Sequence, residues 1–203
     1  MGEHEQNRRR EIIEAALRVF SRHGFHKATI KQIADEAGLK SPALIYWYFK
    51  NKHDLFQVVI SESSPLIGMV NRRSDLSDLL DRLPEEVLPL IAQSYYKSFD
   101  SPNTVRMFRL LISEAARDPE MGNVFAEAGM FKVLHFVVAY LQRQIELGRL
   151  QPHDPQVGAR SFLGMLMAYI LSREVIPHLR AGLPEVERYV EQAVAIFLDG
   201  LRA

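Results

Sequence analysis

Three consecutive aromatic residues are the most distinctive chemical feature of the chain. Tyr46, Trp47 and Tyr48 follow one another directly. Because successive residues of an α-helix are about 100° apart, three neighbouring rings cannot all face one core. The neighbouring residues that form an inward stripe are Leu44, Ile45 and Phe49. Trp47 and Tyr48 are therefore the predicted outward pair; the alternative is that these rings pack between helices of the same region.

Positive charge accompanies these rings. The nearby lysines are Lys31, Lys40, Lys50 and Lys52. Residues 1–53 carry ten basic and six acidic residues, a net charge of +4, whereas residues 54–203 carry 15 and 19, a net charge of −4. Ammonium groups bind phosphates with an affinity that falls as the salt concentration rises. The asymmetry indicates a polyanionic partner for the basic part, and solvated helix faces are the alternative interpretation.

Catalytic and metal-binding patterns are missing from the sequence. It has no cysteine, so neither a disulfide nor a thiolate metal site is available. It also has no HExxH pair, phosphate loop, GxSxG elbow or glycine-rich dinucleotide fingerprint. His23 and His26 are three residues apart but lie on either side of Gly24, a predicted helix stop, so they do not share a helical face. We therefore expect no enzyme, no metal and no cofactor.

A membrane segment is not predicted either. No apolar stretch follows the N-terminal arginines, and the longest uncharged run, between Arg160 and Arg173, has only twelve residues. A helix that spans a bilayer needs about 20 apolar residues. We therefore expect a cytoplasmic protein without a membrane partner.

Helix start and stop signals organise the first 60 residues, and strand signals are scarce. Apolar residues at 3.6-residue spacing predict a first helix from about Asn7 to His23, ended by Gly24. Thr29 and Gln32 form a capping box that starts a second helix, and Gly38 ends it.

A third helix is predicted to begin after Ser41, which caps it, with Pro42 at a first position that needs no N–H. Asn51 is the predicted cap of a fourth helix. Two short helices joined by a glycine-containing turn are typical of a helix-turn-helix. In that motif the first residues of the second helix enter the major groove of DNA.

The remainder of the chain continues the helical pattern. After a helix continuation and an irregular connection over 61–83, the predicted helices are 85–99, 102–117, 120–147, 155–180 and 184–202. Nine or ten helices without a sheet predict an all-α fold. We expect two domains: a helix-turn-helix DNA-binding head, residues 1–53, and a helical body, residues 54–203, to which the family resemblance described next assigns effector binding and dimerisation.

Several segments of the head resemble the TetR family of repressors. They are TIKQIADEAGL at 29–39, SPALIYWYF at 41–49 and KNKHDLF at 50–56. The similarity extends back through RREIIEAALRVFSRHGF at 9–25, so it covers about the first 60 residues. The resemblance implies a helix-turn-helix head followed by an α-helical domain that binds a ligand and dimerises, and whose sequence diverges widely within the family.

The resemblance and the positive charge together identify ten candidate DNA contacts. They are Thr29, Lys31, Lys40, Ser41, Pro42, Ala43, Tyr46, Trp47, Tyr48 and Lys52. By position, Thr29 and Lys31 match residues at the DNA backbone, and Lys52 matches a phosphate-binding lysine. Between Gly38 and Tyr46 the chain has one more residue than the family's commonest spacing, so either the turn is longer or the third helix starts earlier.

The residue types at the start of the third helix indicate how the protein recognises bases. Its first turns contain no Arg, Asn or Gln, so bidentate contacts to guanine or adenine are not expected. We expect apolar contacts to thymine methyl groups, together with DNA shape, to provide much of the specificity. Because one head reads few base pairs, we also expect a dimer on half-sites about 34–36 Å apart, or a multiple of that.

The last two predicted helices are the candidates for the dimer interface. The proposed interface residues are Phe162, Leu166, Ile170, Val190, Val194 and Phe197. The helix over 155–180 is apolar nearly all round, as a helix buried on both sides must be. The resemblance implies the same pair of helices, and the alternative is that these stripes form the core of a single chain.

A set of aromatic and methionine residues forms the candidate effector pocket. It comprises Met107, Phe108, Leu111, Phe131, His135, Phe136, Tyr140, Met165 and Tyr169. Apolar cavities with few polar groups suit hydrophobic or aromatic ligands, and ordinary core is the alternative interpretation. A ligand would act by favouring a head spacing that no longer fits the operator.

We therefore expect a transcriptional regulator that binds a palindromic operator as a homodimer and is released by a small molecule. Repression is the default that the resemblance implies. The alternatives are a helical ligand-binding or interaction protein that has lost operator binding and, from another class, an enzyme.

Overall fold

The computed structural model describes residues 3–63, 77–115 and 131–202, together with residues 119, 122, 123, 126 and 127. Over that part of the chain every regular element is a helix, apart from one isolated antiparallel bridge between Leu150 and Arg202. The predicted all-α fold is confirmed. No helix among these residues is long and apolar enough to cross a membrane.

The N-terminal helices begin and end close to the predicted caps and stop signals. They are α1 (Glu3–Lys27), α2 (Ile30–Glu36), a 3₁₀ helix (Pro42–Trp47) and α3 (Lys52–Ser63). Within α1 the backbone leaves the helical conformation at Gly24, where φ is 79°, and Gly38, after α2, has φ 65°. Side chains disfavour a positive φ, so the two predicted glycine stops are confirmed.

Six more α-helices follow within the described residues. They are α4 (Ser77–Leu80), α5 (Pro84–Lys97), α6 (Pro102–Ala115), α7 (Phe131–Glu146), α8 (Pro155–Ile170) and α9 (Val186–Asp199). The helices predicted over 85–99, 102–117 and 184–202 are confirmed to within a few residues. Most of the prediction for 61–83, and the first part of the one for 120–147, lie outside the described residues.

The single helix predicted over 155–180 is wrong. The α8 helix ends at Ile170, and a π turn, Leu171–Val175, and a 3₁₀ helix, Pro177–Arg180, follow. Pro177 explains the break at Ile176, because it has no N–H and disfavours the helical conformation of the residue before it. Accordingly, Ile176 has φ −117° and ψ 86°.

The chain divides into two compact units. The first comprises Met1–Ser64 and Ser101–Ala128, and the second comprises Pro65–Asp100 and Gly129–Ala203. The first unit therefore contains α6 as well as α1, α2 and α3, because α6 packs against α1. The predicted boundary between residues 53 and 54 separates two functions and stays a prediction.

The core of the first unit is built around α1, which packs on α2, α3 and α6. Ile12, Phe20 and Phe56 are fully buried. The rings of Phe20 and Phe56 meet edge to face, with centroids 4.9 Å apart. Burying a side chain of this size contributes roughly 1.5–3 kcal/mol, so this core holds α2 and α3 firmly against α1.

The core of the second unit joins α7 to α8 and α5 to α9. Tyr96, Tyr140 and Phe162 are fully buried. The Tyr140 hydroxyl donates to the carbonyl of Arg82 (2.9 Å), and the Tyr96 hydroxyl donates to the carbonyl of Leu166 (3.3 Å). Burial raises the pKa of both phenols, which keeps them protonated as hydrogen-bond donors.

Candidate nucleic-acid interface

The start of α2 is fixed by reciprocal hydrogen bonds. The Thr29 hydroxyl accepts from the backbone N–H of Gln32 (3.1 Å), and the Gln32 side-chain oxygen accepts from the backbone N–H of Thr29 (2.9 Å). The predicted capping box is therefore confirmed. Thr29 and Lys31 are both exposed at this end of α2.

The recognition segment, Ser41–Phe49, contains a 3₁₀ helix instead of the predicted α-helix. Its predicted start is confirmed, because the Ser41 hydroxyl accepts from the N–H of Ala43 (3.3 Å) and Pro42 occupies the first position. Residues 37–41 form the turn before it. The helix thus does not start earlier than predicted, and the extra residue lies in the turn.

The 3₁₀ geometry changes which aromatic rings point outward. A 3₁₀ helix repeats every three residues, so Ile45 and Tyr48 share a face. Ile45 is 1% exposed and Tyr48 is partly buried, whereas Tyr46 is 55% and Trp47 is 80% exposed. The outward pair is therefore Tyr46 and Trp47. The prediction of Trp47 and Tyr48 is corrected, because it assumed the angular spacing of an α-helix.

The start of α3 is capped as predicted. The Asn51 side-chain oxygen accepts from the N–H of Asp54 (2.8 Å). The Asp54 carboxylate accepts in turn from the N–H of Lys50 (2.9 Å). These bonds fix the path of the chain from the recognition segment into α3.

Lys52 has a different environment from the other lysines of the head. Its ammonium donates to the carbonyl oxygens of Phe25 (2.9 Å), Ala28 (3.0 Å) and His26 (3.4 Å). Burial lowers the pKa of this ammonium. By contrast, the side chain of Lys40 is exposed.

Arg8 is a residue that the sequence prediction omitted. A cavity of about 260 Å³ is lined by Arg8, Gly38, Leu39, Lys40, Leu44, Trp47 and Tyr48. The run of three arginines at 8–10 was the available signal, but it could not tell which arginine lies beside the recognition segment. Arg9 instead pairs with Glu62 of α3 (2.7 Å).

Glu36 ties α2 to α1. Its carboxylate accepts from the guanidinium groups of Arg18 (2.7 Å) and Arg22 (2.8 Å). These bonds, that from Arg18 first and that from Arg22 second, hold the pKa of Glu36 below its ordinary value. The helix that begins beside Thr29 is thus held to α1 by charged hydrogen bonds as well as by apolar packing.

The residues predicted for the dimer interface lie in the core of the second unit. Phe162, Leu166, Ile170, Val190, Val194 and Phe197 are all buried within the single chain. The rings of Phe162 and Phe197 contact each other, with centroids 5.3 Å apart. These stripes are the inward faces of α8 and α9, because apolar periodicity marks a buried face without showing what covers it.

The outward faces of α8 and α9 carry a different set of apolar and small residues. They are Val157, Gly164 and Ala168 on α8, and Ala195 and Ile196 on α9. Val157 is 61% exposed and Ile196 is 68% exposed. Exposed apolar side chains that group together commonly mark contact sites.

The predicted effector-pocket residues are divided between the two units. Met107, Phe108 and Leu111 belong to the first unit, whereas Phe131, His135, Phe136, Tyr140, Met165 and Tyr169 belong to the second. Phe131 is 50% exposed, and its ring stacks on that of His135 with centroids 6.4 Å apart. Tyr169 borders a cavity of about 150 Å³ that Arg173 and Arg180 also line. The pocket as a whole stays a prediction.

Two family models match the chain. Residues 12–59 match the model of the tetR family of bacterial regulatory proteins. Residues 86–201, more than half of the chain, match the C-terminal domain of AefR-like transcriptional repressors.

Individual proteins are similar over nearly the whole length. The chain is 26% identical over 201 residues to the transcriptional repressor AcnR of Corynebacterium glutamicum, covering 95% of each chain. It is 22% identical to SmeT, the repressor of the multidrug efflux pump SmeDEF of Stenotrophomonas maltophilia, solved with triclosan (97% of this chain and 92% of that chain, TM-score 0.73). It is 19% identical to FadR of Bacillus subtilis, solved with stearoyl-CoA (94% and 97%, TM-score 0.71).

The matched families and the geometry of the head agree. Both family models describe transcriptional regulators, which are DNA-binding proteins and not enzymes. The head has the capped helices of a helix-turn-helix, exposes Tyr46 and Trp47 on its recognition segment, and exposes Lys40 directly before it. The chain belongs to the TetR family of bacterial transcriptional regulators.

Proposed function

We propose that the chain represses transcription by binding a pseudo-palindromic operator as a homodimer, and that a small hydrophobic or aromatic effector releases it. The observation that carries the proposal is the exposure of Tyr46 and Trp47 on a capped 3₁₀ helix, beside a cavity lined by Arg8 and Lys40. Aromatic faces next to cations suit simultaneous contact with bases and with the phosphate backbone.

The proposed DNA contacts are of two kinds. The exposed side chains for phosphate contacts are Arg8, Thr29, Lys31 and Lys40. The base edges are proposed to be approached by the first residues of the recognition segment, Ser41, Pro42 and Ala43. Tyr48, which is partly buried, is proposed to contact the DNA next to them. Tyr46 and Trp47 contact thymine methyl groups. Phosphate contacts fix the register of the head, and contacts to base edges provide the sequence preference.

A dimer is needed to hold two heads at the spacing of two half-sites. We propose that the outward faces of α8 and α9 form its interface, which includes Val157 and Ile196. Their exposure in the single chain supports this assignment. Gly164 and Ala168 are small, so they permit close approach of a second helix.

The effector is proposed to be largely apolar. The solved SmeT with triclosan and FadR with stearoyl-CoA support that class. In this chain the members of the predicted aromatic and methionine set that lie in the second unit are proposed to line the effector site. The ligand has one affinity for the DNA-bound conformation and another for the released conformation. The ratio of these two affinities limits how far a bound ligand can lower the affinity for the operator.

Selection of binding sites from random double-stranded DNA tests the operator. We expect enrichment of an inverted repeat whose half-site centres are about one helical turn, or a multiple of it, apart. A strict guanine preference at the contacted positions would contradict the proposed thymine contacts. Enrichment of no repeat would contradict operator binding and favour a helical interaction protein.

Titration of the operator complex with triclosan and with stearoyl-CoA tests the effector class. We expect at least one of these probes to raise the dissociation constant of the complex, with glutamate as a polar control. An unchanged dissociation constant with both apolar probes, combined with release by glutamate, would contradict an apolar effector.

A further inference from the structure

Lys52 lies at the N-terminal end of α3, where the resemblance to the TetR family implies a phosphate contact. In the structure its ammonium has other partners. Three backbone carbonyls, those of Phe25, Ala28 and His26, lie 2.9, 3.0 and 3.4 Å from Nζ. An ammonium has three N–H donors and no acceptor, so these carbonyls account for every donor that the side chain has.

The three carbonyls belong to the corner between α1 and α2. The helical path of α1 is interrupted at Gly24, and α2 is capped by Thr29, so Phe25 and His26 lie in the last turn of α1 and Ala28 lies between the two helices. Carbonyls at the C-terminal end of a helix lack intrahelical donors and carry the negative end of the helix dipole. A lysine ammonium is therefore a well-matched partner for this corner.

An aromatic ring holds the ammonium from another side. Nζ lies 4.5 Å from the centre of the Phe25 ring, within the range of a cation–π interaction. Phe25 is 2% exposed and contacts Phe20 and Phe56, with ring centroids 5.8 and 4.9 Å away. The core of the first unit thus holds the Phe25 ring in place, and the ring in turn helps to hold the Lys52 ammonium in position.

We propose that Lys52 is a positioning residue, which fixes the corner between α1 and α2 and does not itself neutralise a DNA phosphate. This inference rests on the proposed binding of operator DNA. Ala28, whose carbonyl Lys52 holds, directly precedes the cap residue Thr29. Loss of the ammonium therefore displaces Thr29, whose uncharged hydroxyl is proposed to contact a phosphate, and leaves the number of cationic phosphate contacts unchanged.

The salt dependence of operator binding separates positioning from direct contact. A plot of the logarithm of affinity against the logarithm of salt concentration has a negative slope, and each phosphate contact contributes about 0.9 to its magnitude. A dimer that loses one contact per head therefore has a slope smaller in magnitude by about 1.8. Lys52→Met keeps a long unbranched side chain and removes the ammonium. We expect it to weaken operator binding by at least about tenfold with the wild-type slope, whereas Lys40→Met lowers the slope.

The affinities are measured well below the melting temperature of each variant, so that the protein is folded. A slope reduced by Lys52→Met would show a direct phosphate contact and overturn the proposal. Unchanged affinity of the folded variant would also overturn it, because the corner would then not matter for DNA binding. A wild type without salt-dependent operator binding would instead count against the proposed function.

A measurement on the wild type covers the case in which Lys52→Met does not fold. Lysines are acetylated in the free protein and in the operator complex, and the extent of reaction at each is compared by mass spectrometry. We expect Lys31 and Lys40 to be protected by the operator and Lys52 to react equally in both states. Protection of Lys52 to the same degree as Lys40 would overturn the proposal.

Discussion

The indole ring of Trp47 lies largely in solvent, with Tyr46 beside it. Trp47 is 80% exposed and Tyr46 is 55% exposed. Exposed rings add little to the stability of the free protein, because stabilisation follows the apolar area removed from water. A nucleic-acid surface would cover these rings, so their contribution is expected in binding.

Replacing Trp47 by alanine should therefore separate binding from stability. We expect Trp47→Ala to weaken operator binding roughly tenfold or more, because each head of the dimer loses a contact to a thymine methyl group. The free energy of unfolding should change by less than about 0.5 kcal/mol, as for other exposed positions. Fluorescence anisotropy and thermal denaturation measure the two effects.

Leu179→Ala, at a 53% exposed position in the second unit, is the control. Equal operator affinity of Trp47→Ala and the wild type would contradict the assignment.

Residue-level predictions from the sequence succeeded where the interaction is local. The caps at Thr29, Ser41 and Asn51 were predictable, because a cap depends on residues two or three positions away. The environment of Lys52 was not, because its carbonyl partners lie 24 to 27 residues earlier in the chain. Only packing of α3 against α1 brings them together.

At the scale of the element, the capping box at Thr29 determines how well α2 is formed. Thr29→Ala removes the acceptor for the Gln32 N–H and should destabilise the fold by about 1 kcal/mol. Thr29→Ser keeps the hydroxyl acceptor and should retain most of the stability. Chemical denaturation of both variants measures the difference, and equal destabilisation by serine and alanine would contradict a capping role.

The link between α1 and α2 at Glu36 should depend on pH. Hydrogen bonds from Arg18 and then Arg22 hold the pKa of this carboxyl below 4.5 in the folded chain. A group with a lowered folded-state pKa stabilises the fold above its unfolded value, and this contribution is lost as the pH falls through the folded value. Glu36→Gln should therefore lower the melting temperature near neutral pH.

The same variant should match the wild type in acid, at a pH well below 4.5, where the carboxyl is protonated in both states. Thermal denaturation over a pH series measures the difference, and Glu14→Gln, at an exposed position of α1, is the control. A difference that stays constant or grows as the pH falls would contradict the role assigned to Glu36.

The element boundaries show the same division between local and distant causes. Gly24 and Gly38 were recognised as stops because a positive φ favours glycine. The break before Pro177 also has a local cause, but the apolar pattern over 155–180 continues across it and by itself predicts one helix. The 3₁₀ geometry of the recognition segment was not predictable, since its side chains suit an α-helix as well.

At the scale of the whole molecule, the dimer determines whether two heads can reach two half-sites. Ile196→Glu places a charge on the outward face of α9 and should raise the dimer dissociation constant by at least about tenfold. The second unit should remain folded, because Ile196 is 68% exposed. Sedimentation velocity measures the oligomeric state, with Leu179→Glu as the control. A dimer unaffected by Ile196→Glu would exclude this face from the interface.

Apolar periodicity in the sequence does not distinguish a dimer interface from the core of a single chain, so the predicted interface residues stay a prediction. Phe162 and Val190 satisfy the periodicity expected of an interface, but the chain's own core covers both. The exposed apolar and small residues of α8 are Val157, Gly164 and Ala168, and they can be recognised as one face only once the buried face of the helix is known. The effector site is less predictable still, because core and pocket residues share one apolar composition.

The central claim is that the head binds a specific operator through its recognition segment. The most direct test is an anisotropy titration of the wild type on the selected operator and on a scrambled duplex of equal length, from about 50 to 200 mM salt. We predict that the operator is bound about a thousandfold more tightly than the scrambled duplex, and that both affinities fall steeply with salt. Equal affinities for the two duplexes, or binding that does not respond to salt, would contradict the claim.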